Sequence, residues 1–111
     1  FQPPSEEELR CHYELITHQN GHRIAHKLIR YILERRANRE RWLKALQHAT
    51  CPLLLIDGIN DPVSGAHMVK RYCELVPQSL VVEIQNCGHY PQLEKPKEVL
   101  ESYCEFRESL K

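Results

Sequence analysis

The sequence predicts an α/β fold in which a helical region is followed by two parallel strands. Across residues 1–49 apolar side chains recur at helical spacing, whereas residues 50–111 alternate short apolar runs with amphipathic segments. When a helix connects two strands of one sheet, it crosses over a face of the sheet and the strands run parallel. We therefore predict helices over 1–49 and a strand–helix–strand–helix unit over 50–111.

The first region contains the signals of three helices. Ser5 is a typical N-cap, and the acidic residues that follow it favour the first turn of a helix. The Gln-Asn-Gly stretch at 19–21 predicts a break. Beyond the break, apolar residues at a spacing of three or four positions predict helices over 22–37 and 39–48.

The second region contains two strand signals and two helix signals. Residues 51–56 form an apolar run without alternation, which indicates a strand buried on both faces, as in a parallel sheet. Residues 80–84 predict a second strand. Between the strands, 65–75 predicts a helix that Pro77 ends, and 96–110 predicts the last helix.

The charge balance and the hydropathy restrict the classes of partner. The 111 residues carry 15 basic and 15 acidic side chains, and this zero net charge argues against nucleic acid as the main partner. The longest aliphatic run, 53–56, is far shorter than the roughly 20 residues of a membrane helix. Residues 23–44 hold eight basic and two acidic side chains. We interpret this segment as a solvated helix face, and an anionic partner is the alternative.

The five cysteines predict free thiols and a cytoplasmic location. Their number is odd, and none of them forms a Cys-x-x-Cys pair, which argues against a zinc knuckle. Nothing at the start of the sequence resembles a secretory signal, so reduced thiols are the default expectation. Cys73 and Cys104 fall at apolar-patterned positions, where we expect them to pack as small hydrophobic side chains.

Three histidines are spaced four residues apart, at 18, 22 and 26. His22 and His26 have the spacing of a zincin helix, but Arg23 stands where such a helix carries its general-base Glu. Gly21 also interrupts the helix that would have to present all three rings. The sequence therefore predicts neither a metal site nor a cofactor here.

Two loops that follow the predicted strands carry ionisable side chains. Asp61 follows the first strand and His89 follows the second, and the carboxyl ends of parallel strands lie at one edge of a sheet. We therefore predict that the two loops lie side by side, with Gly58 and Gly88 allowing sharp turns. An Asp beside a His fixes the imidazole tautomer and stabilises the imidazolium, as in a catalytic triad. The alternative is that both loops serve only as turns.

Two blocks of sequence resemble the α/β-hydrolases. Residues 52–62, Pro-Leu-Leu-Leu-Ile-Asp-Gly-Ile-Asn-Asp-Pro, look like the strand and acid loop of that superfamily. Residues 87–96, Cys-Gly-His-Tyr-Pro-Gln-Leu-Glu-Lys-Pro, resemble its catalytic-histidine loop. Residues 31–36 and 41–46 look like the end of the helical cap in epoxide hydrolase-like and dehalogenase-like members. The whole pattern is similar to the mesoderm-specific transcript hydrolase group and its bacterial relatives.

The resemblance implies a role for each of these residues. Asp61 would be the triad acid and His89 the general base, while Glu94 and Pro96 would be structural and start the closing helix. Residues 1–49 would be the end of a cap, followed by the last strand–helix–strand–helix unit of the hydrolase core. The implied substrate is a small apolar ester, epoxide or haloalkane, with no cofactor and no metal.

No nucleophile elbow, such as Gly-x-Ser-x-Gly, precedes Asp61 in this sequence. Ser64 is the serine nearest to the predicted site, but Asp-Pro-Val-Ser-Gly does not have the pattern of a strand-to-helix elbow. We therefore expect the chain to be the C-terminal part of a larger hydrolase and to be inactive alone. Whether the nucleophile is Ser or Asp stays open, as does the oligomeric state. The alternative function is a non-catalytic, hydrolase-derived interaction module.

Overall fold

A computed structural model describes residues 3–111, which divide into a unit of residues 3–43 and a unit of residues 44–111. Helix α1, Glu6–Thr17, opens the first unit. The main-chain N–H of Glu8 donates to Ser5 Oγ at 3.2 Å, and the N–H of Ser5 donates to the Glu8 carboxylate at 2.7 Å. This reciprocal capping confirms the predicted helix start at Ser5.

The predicted break after the first helix is also confirmed. A 3-10 segment, His18–Ile24, follows α1, and within it Gln19 and Asn20 have φ angles of 47° and 62°. These left-handed conformations are incompatible with a continuous α-helix, since they place successive peptide groups out of register. The chain therefore changes direction within the polar stretch that predicted the break.

The two helices predicted beyond the break have different bounds in the structure. Helix α2, Ala25–Leu28, is a single turn, and α3, Tyr31–Gln47, runs without interruption through position 38, where we predicted a boundary. Asn38 does not end the helix, because its side-chain amide donates to the Glu34 carbonyl one turn earlier, at 3.0 Å. The residues around it are good helix formers, which favours continuity.

The second unit contains two parallel strands, as predicted. Strand β1, Leu54–Gly58, pairs with β2, Leu80–Ile84, and the register runs from Leu54 opposite Leu80 to Gly58 opposite Ile84. Helix α4, Ala66–Leu75, makes the crossover. Strand β1 continues two residues beyond the predicted end at 56. Its apolar residues are half-buried, so the expectation that both faces are buried is not met within the described chain.

Two further helices complete the second unit. Helix α5, Pro91–Glu94, is a short turn that we did not predict, and α6, Pro96–Glu108, is the predicted closing helix. Proline stands first in both, where its missing N–H leaves no helical hydrogen bond unmade. Among residues 3–111 no helix is long and apolar enough to cross a membrane.

The buried apolar residues of the described chain all lie in the second unit. They are Val69, Val76, Ile84 and Cys87. Cys73 and Cys104 are exposed, so the expectation that they pack as small hydrophobic side chains is wrong in this structure. Cys73 lies on a solvent-facing position of α4 and Cys104 on one of α6, whereas the buried Cys87 lies in the loop after β2. Of the buried residues, Ile84 and Cys87 lie at the end of β2 and in the loop that carries His89.

Candidate active site

Main-chain hydrogen bonds tie together the loops that follow β1 and β2. The N–H of Ile59 donates to the carbonyl of Ile84 at 3.2 Å, and the N–H of Asn60 donates to the carbonyl of Cys87 at 3.0 Å. These bonds extend the pairing of the strands past their ends. The prediction that the two loops lie side by side is therefore confirmed.

Gly58 is required at the end of β1 by the close approach of the second loop. A Cβ atom at this position would collide with the carbonyl oxygens of Gly88 and Cys87. We expected Gly58 and Gly88 to allow sharp turns, but no glycine among the described residues has a positive φ. The left-handed residue of the second loop is instead Asn86, with a φ of 52°. The glycine at 58 thus sets how near the loops lie rather than how they turn.

The two ionisable side chains that the sequence singled out are in contact. His89 Nδ1 lies 2.6 Å from Asp61 Oδ2. The Asp61 side chain is 2% exposed, whereas the His89 side chain is 50% exposed. Because an ionised carboxylate can only accept a hydrogen bond, Nδ1 carries the proton of this pair. The second ring nitrogen, Nε2, is then the one that can exchange a proton with another molecule.

The Asp61 carboxylate is held by the residues that directly follow it in the chain. Oδ1 accepts from the Val63 N–H at 2.9 Å. Oδ2 accepts from the Ser64 N–H at 3.1 Å and from the Ser64 hydroxyl at 2.5 Å. The Ser64 hydroxyl, then His89, then the two main-chain amides hold the pKa of Asp61 far below that of an ordinary carboxyl. The carboxylate is therefore ionised at neutral pH.

Glu94 holds the loop of His89 from the end of helix α5. One carboxylate oxygen accepts from the N–H of Gly88 at 3.0 Å, and the other accepts from the N–H of Tyr90 at 3.3 Å. These amides flank His89 on both sides. The Tyr90 ring also lies edge-on to the imidazole, with centroids 5.0 Å apart. Glu94 therefore anchors the loop that carries His89, whereas the closing helix begins at Pro96.

Sequence reasoning missed a second buried carboxyl, Asp57, near the end of β1. Asp57 as a whole residue is 8% exposed. Its Oδ2 atom is buried and has no hydrogen-bond partner in the described part of the chain. Burial, followed by the charges of Asp61 and Glu83, raises the pKa of Asp57. The signal in the sequence is an acidic residue that directly continues an otherwise aliphatic run.

The described residues do not provide every group that a hydrolytic site needs. Across residues 3–111 no three His, Cys, Asp or Glu side chains are grouped so that they could hold a metal ion. Ser64 donates its hydroxyl to Asp61, so it lies on the acid side of the pair rather than beside Nε2. By itself, the pair can accept a proton at Nε2 and stabilise the resulting imidazolium.

The chain is similar in sequence to one protein family and to several known proteins. The model of the alpha/beta hydrolase fold family matches residues 12–96. The chain is 38% identical over 100 residues to LipZ of Mycobacterium tuberculosis, named as a hydrolase, a match that covers 90% of this chain and 35% of that protein. It is 35% identical over 105 residues to the human mesoderm-specific transcript homolog protein, covering 93% of this chain and 31% of the relative.

A more distant relative is lipase 3 of a Moraxella species. It is 30% identical over 74 residues, covering 67% of this chain and 24% of the lipase. No solved structure matches the chain. The chain spans about a third of the length of the two nearer relatives described above.

Proposed function

The chain belongs to the alpha/beta hydrolase fold family, and on this premise we propose that Asp61 and His89 are the acid and the base of a hydrolase that acts on small apolar substrates. The observation that carries the proposal is the 2.6 Å contact between His89 Nδ1 and the buried Asp61 carboxylate. A half-exposed imidazole oriented by a buried carboxylate is the proton-handling part of a nucleophile–Asp–His triad. The nucleophile belongs to a part of the full protein outside these 111 residues.

The position of Nε2 defines what His89 does in each half of the reaction. With a serine nucleophile, the hydroxyl oxygen attacks the carbonyl carbon of an ester while its proton passes to Nε2. The imidazolium, facing the Asp61 carboxylate, then gives that proton to the departing alkoxide. In the second half, water attacks the acyl-enzyme, and its proton follows the same route through Nε2 to the released serine.

An aspartate nucleophile would change the first half of the reaction but not the role of the pair. A carboxylate oxygen bonds to the substrate carbon while the halide or the epoxide oxygen departs, the latter taking a proton from solvent, so an alkyl-enzyme ester forms first. His89 then takes a proton from the water that attacks the ester carbonyl and gives it to the departing alcohol oxygen, which releases the aspartate. The names of LipZ as a hydrolase and of the Moraxella relative as a lipase favour carboxylic esters as the first substrates to assay.

The test uses the full-length protein and short-chain nitrophenyl esters. We expect Asp61→Asn to lower kcat by about 10⁴-fold, because the amide selects the wrong imidazole tautomer. His89→Gln should lower it at least as much. The matched control is His48→Gln, since His48 is an exposed histidine just after helix α3, and its Nδ1 atom lies 2.8 Å from the Lys44 carbonyl oxygen. Wild-type turnover in either site variant would refute the proposal.

A further inference from the structure

A serine in the loop between β1 and α4 shares a carboxylate oxygen with the candidate base. The Ser64 hydroxyl lies 2.5 Å from Asp61 Oδ2, and His89 Nδ1 lies 2.6 Å from the same oxygen. We propose that Ser64 is a positioning residue, which fixes the orientation of the Asp61 carboxylate and reduces its attraction for the protonated imidazole. The inference rests on the proposed function of the Asp61–His89 pair.

The orientation of the carboxylate is set within four residues of chain. Oδ1 accepts from the Val63 N–H, and Oδ2 accepts from both the N–H and the hydroxyl of Ser64. The carboxyl group cannot turn about its Cβ–Cγ bond without breaking these hydrogen bonds. Since the group is 2% exposed, water cannot readily replace them. Of these donors, the Ser64 hydroxyl is the one a side-chain substitution removes.

The same hydroxyl changes the electrostatics of the pair. A donor on Oδ2 spreads the negative charge of the carboxylate, so this oxygen stabilises an imidazolium less than it would without the donor. Three other groups interact with the His89 ring or its loop: the buried Asp57 carboxyl through its charge, the Tyr90 ring edge-on, and the Glu94 carboxylate through the flanking amides. None of them touches Oδ2, so removal of the Ser64 hydroxyl acts on the Asp61–His89 bond directly.

A nucleophilic role for Ser64 does not fit this geometry. A nucleophile has to give its proton to the free nitrogen of the base, which is Nε2. Ser64 instead donates to the oxygen that faces Nδ1, on the opposite side of the imidazole. Its hydroxyl is therefore engaged in the orientation of the acid.

The experiment compares three variants of the full-length protein. Ser64→Ala removes the hydroxyl, and Ser64→Thr retains one. The matched control, Ser79→Ala, removes a half-buried loop hydroxyl that donates only to the Val76 carbonyl, at 2.8 Å. The measurements are kcat and KM for an ester across the pH range, and the NMR resonance of the His89 Nδ1 proton. The resonance reports the hydrogen bond to Asp61 whether or not the protein turns over.

We expect Ser64→Ala to lower kcat roughly 5- to 10-fold at unchanged KM, because the acid loses part of its alignment. The acid-side fall of kcat/KM should move to higher pH by roughly 0.5 unit, since the imidazolium is better stabilised by the undispersed charge. The Nδ1 resonance should shift as well. Ser64→Thr should restore all three quantities, and Ser79→Ala should leave them unchanged.

Two outcomes separate this inference from the proposed function. If Ser64→Ala lowers kcat but keeps the wild-type acid limb and the wild-type Nδ1 resonance, Ser64 is merely structural and the inference is overturned. If His89→Gln retains turnover, the proposed function fails instead, while the resonance still tests the effect of Ser64 on the pair. Should Ser64→Ala not fold, Ser64→Cys replaces the hydroxyl by a weaker donor, and an unshifted resonance in that variant would overturn the inference.

Discussion

At the scale of single residues, two buried carboxyls near the same strand end have opposite environments. Asp61 accepts hydrogen bonds from Ser64, His89 and Val63, which lower its pKa. Asp57 has a buried oxygen without a hydrogen-bond partner in the described part of the chain, and burial raises its pKa. Pairing therefore stabilises the charge of Asp61, whereas the charge of Asp57 opposes folding.

The buried carboxyl of Asp57 predicts how the stability of the protein depends on pH. The folded-state pKa of Asp57 lies above that of the unfolded chain, so the folded protein binds its proton more tightly, and stability falls as the pH rises past about 4. Asp57→Asn removes this charge and should raise the free energy of unfolding at pH 7 by about 1 kcal/mol. The gain should vanish below a pH of about 4, where the carboxyl is protonated in both states.

Denaturant unfolding of the full-length protein at pH 7 and pH 3.5 measures this gain. Glu101→Gln is the control, because Glu101 is an exposed carboxyl on helix α6. Its effect should stay within about 0.5 kcal/mol. A loss of stability in Asp57→Asn at pH 7 would mean that the ionised carboxyl has a stabilising partner in the full protein.

The contacts of Glu94 lead to a second prediction about a single residue. Glu94→Ala removes the acceptor of the Gly88 and Tyr90 amides, so the backbone on both sides of His89 loses its anchor. We expect kcat to fall by about 10-fold, because the proposed base loses its alignment but keeps its imidazole. Glu94→Gln retains one oxygen acceptor, so its kcat should lie between those of the wild type and Glu94→Ala. Equal kcat values for Glu94→Ala and the wild type would contradict this account of the loop.

At the scale of elements, the approach of the two strand-end loops depends on Gly58. Gly58→Ala places a methyl group against the carbonyl oxygens of Gly88 and Cys87. Both are backbone atoms, so the loops themselves have to separate, and Asp61 moves away from His89. We expect kcat to fall by about 10²-fold or more, since a displacement of about 1 Å has that effect on an aligned site.

The control for Gly58→Ala lies in the same loop. Asn60→Ala keeps the main-chain hydrogen bond from residue 60 to the Cys87 carbonyl, so the loops stay joined. Its kcat should stay within twofold of the wild type. If Gly58→Ala were equally harmless, the close approach of the loops would not be what positions the pair.

The sequence predicts some of the helices and strands correctly and others incorrectly. The Ser5 cap, the break after α1 and the two parallel strands follow from local residue types and from hydrophobic runs, and the structure confirms them. The boundary predicted at 38 is wrong, because Asn38 bonds back to Glu34 inside α3. Helix α5 is too short to show a hydrophobic period, so only its Pro91 start marks it in the sequence.

Parts of the site were predictable for a similar reason. Asp61 and His89 were found because strand order places the ends of parallel strands together, and this depends only on topology. The contacts of Ser64 and Glu94 depend instead on the side-chain conformations that these residues adopt once the two loops lie together. Asp57 was not predicted, because an acidic residue at a strand end typically indicates the start of a loop. In the structure, β1 continues through Asp57.

At the scale of the whole molecule, the chain supplies two strands and a proton-handling pair. His89 is the proposed base, and among the described residues no nucleophile lies at its Nε2 atom. We predict that the isolated 111-residue chain hydrolyses nitrophenyl esters no faster than free imidazole at equal concentration. Saturable turnover by the isolated chain that disappears in His89→Gln would contradict this prediction.

If Asp61 and His89 act as one unit, the effects of their substitutions are not independent, and a double-mutant cycle in the full-length protein measures this. The rates are kcat/KM values for an ester in the wild type, Asp61→Asn, His89→Gln and the double variant. Residues that act as a unit lose their effect together, so the double variant should be no slower than His89→Gln alone. If the two losses instead multiplied, Asp61 and His89 would act independently, and the account of the pair would be wrong.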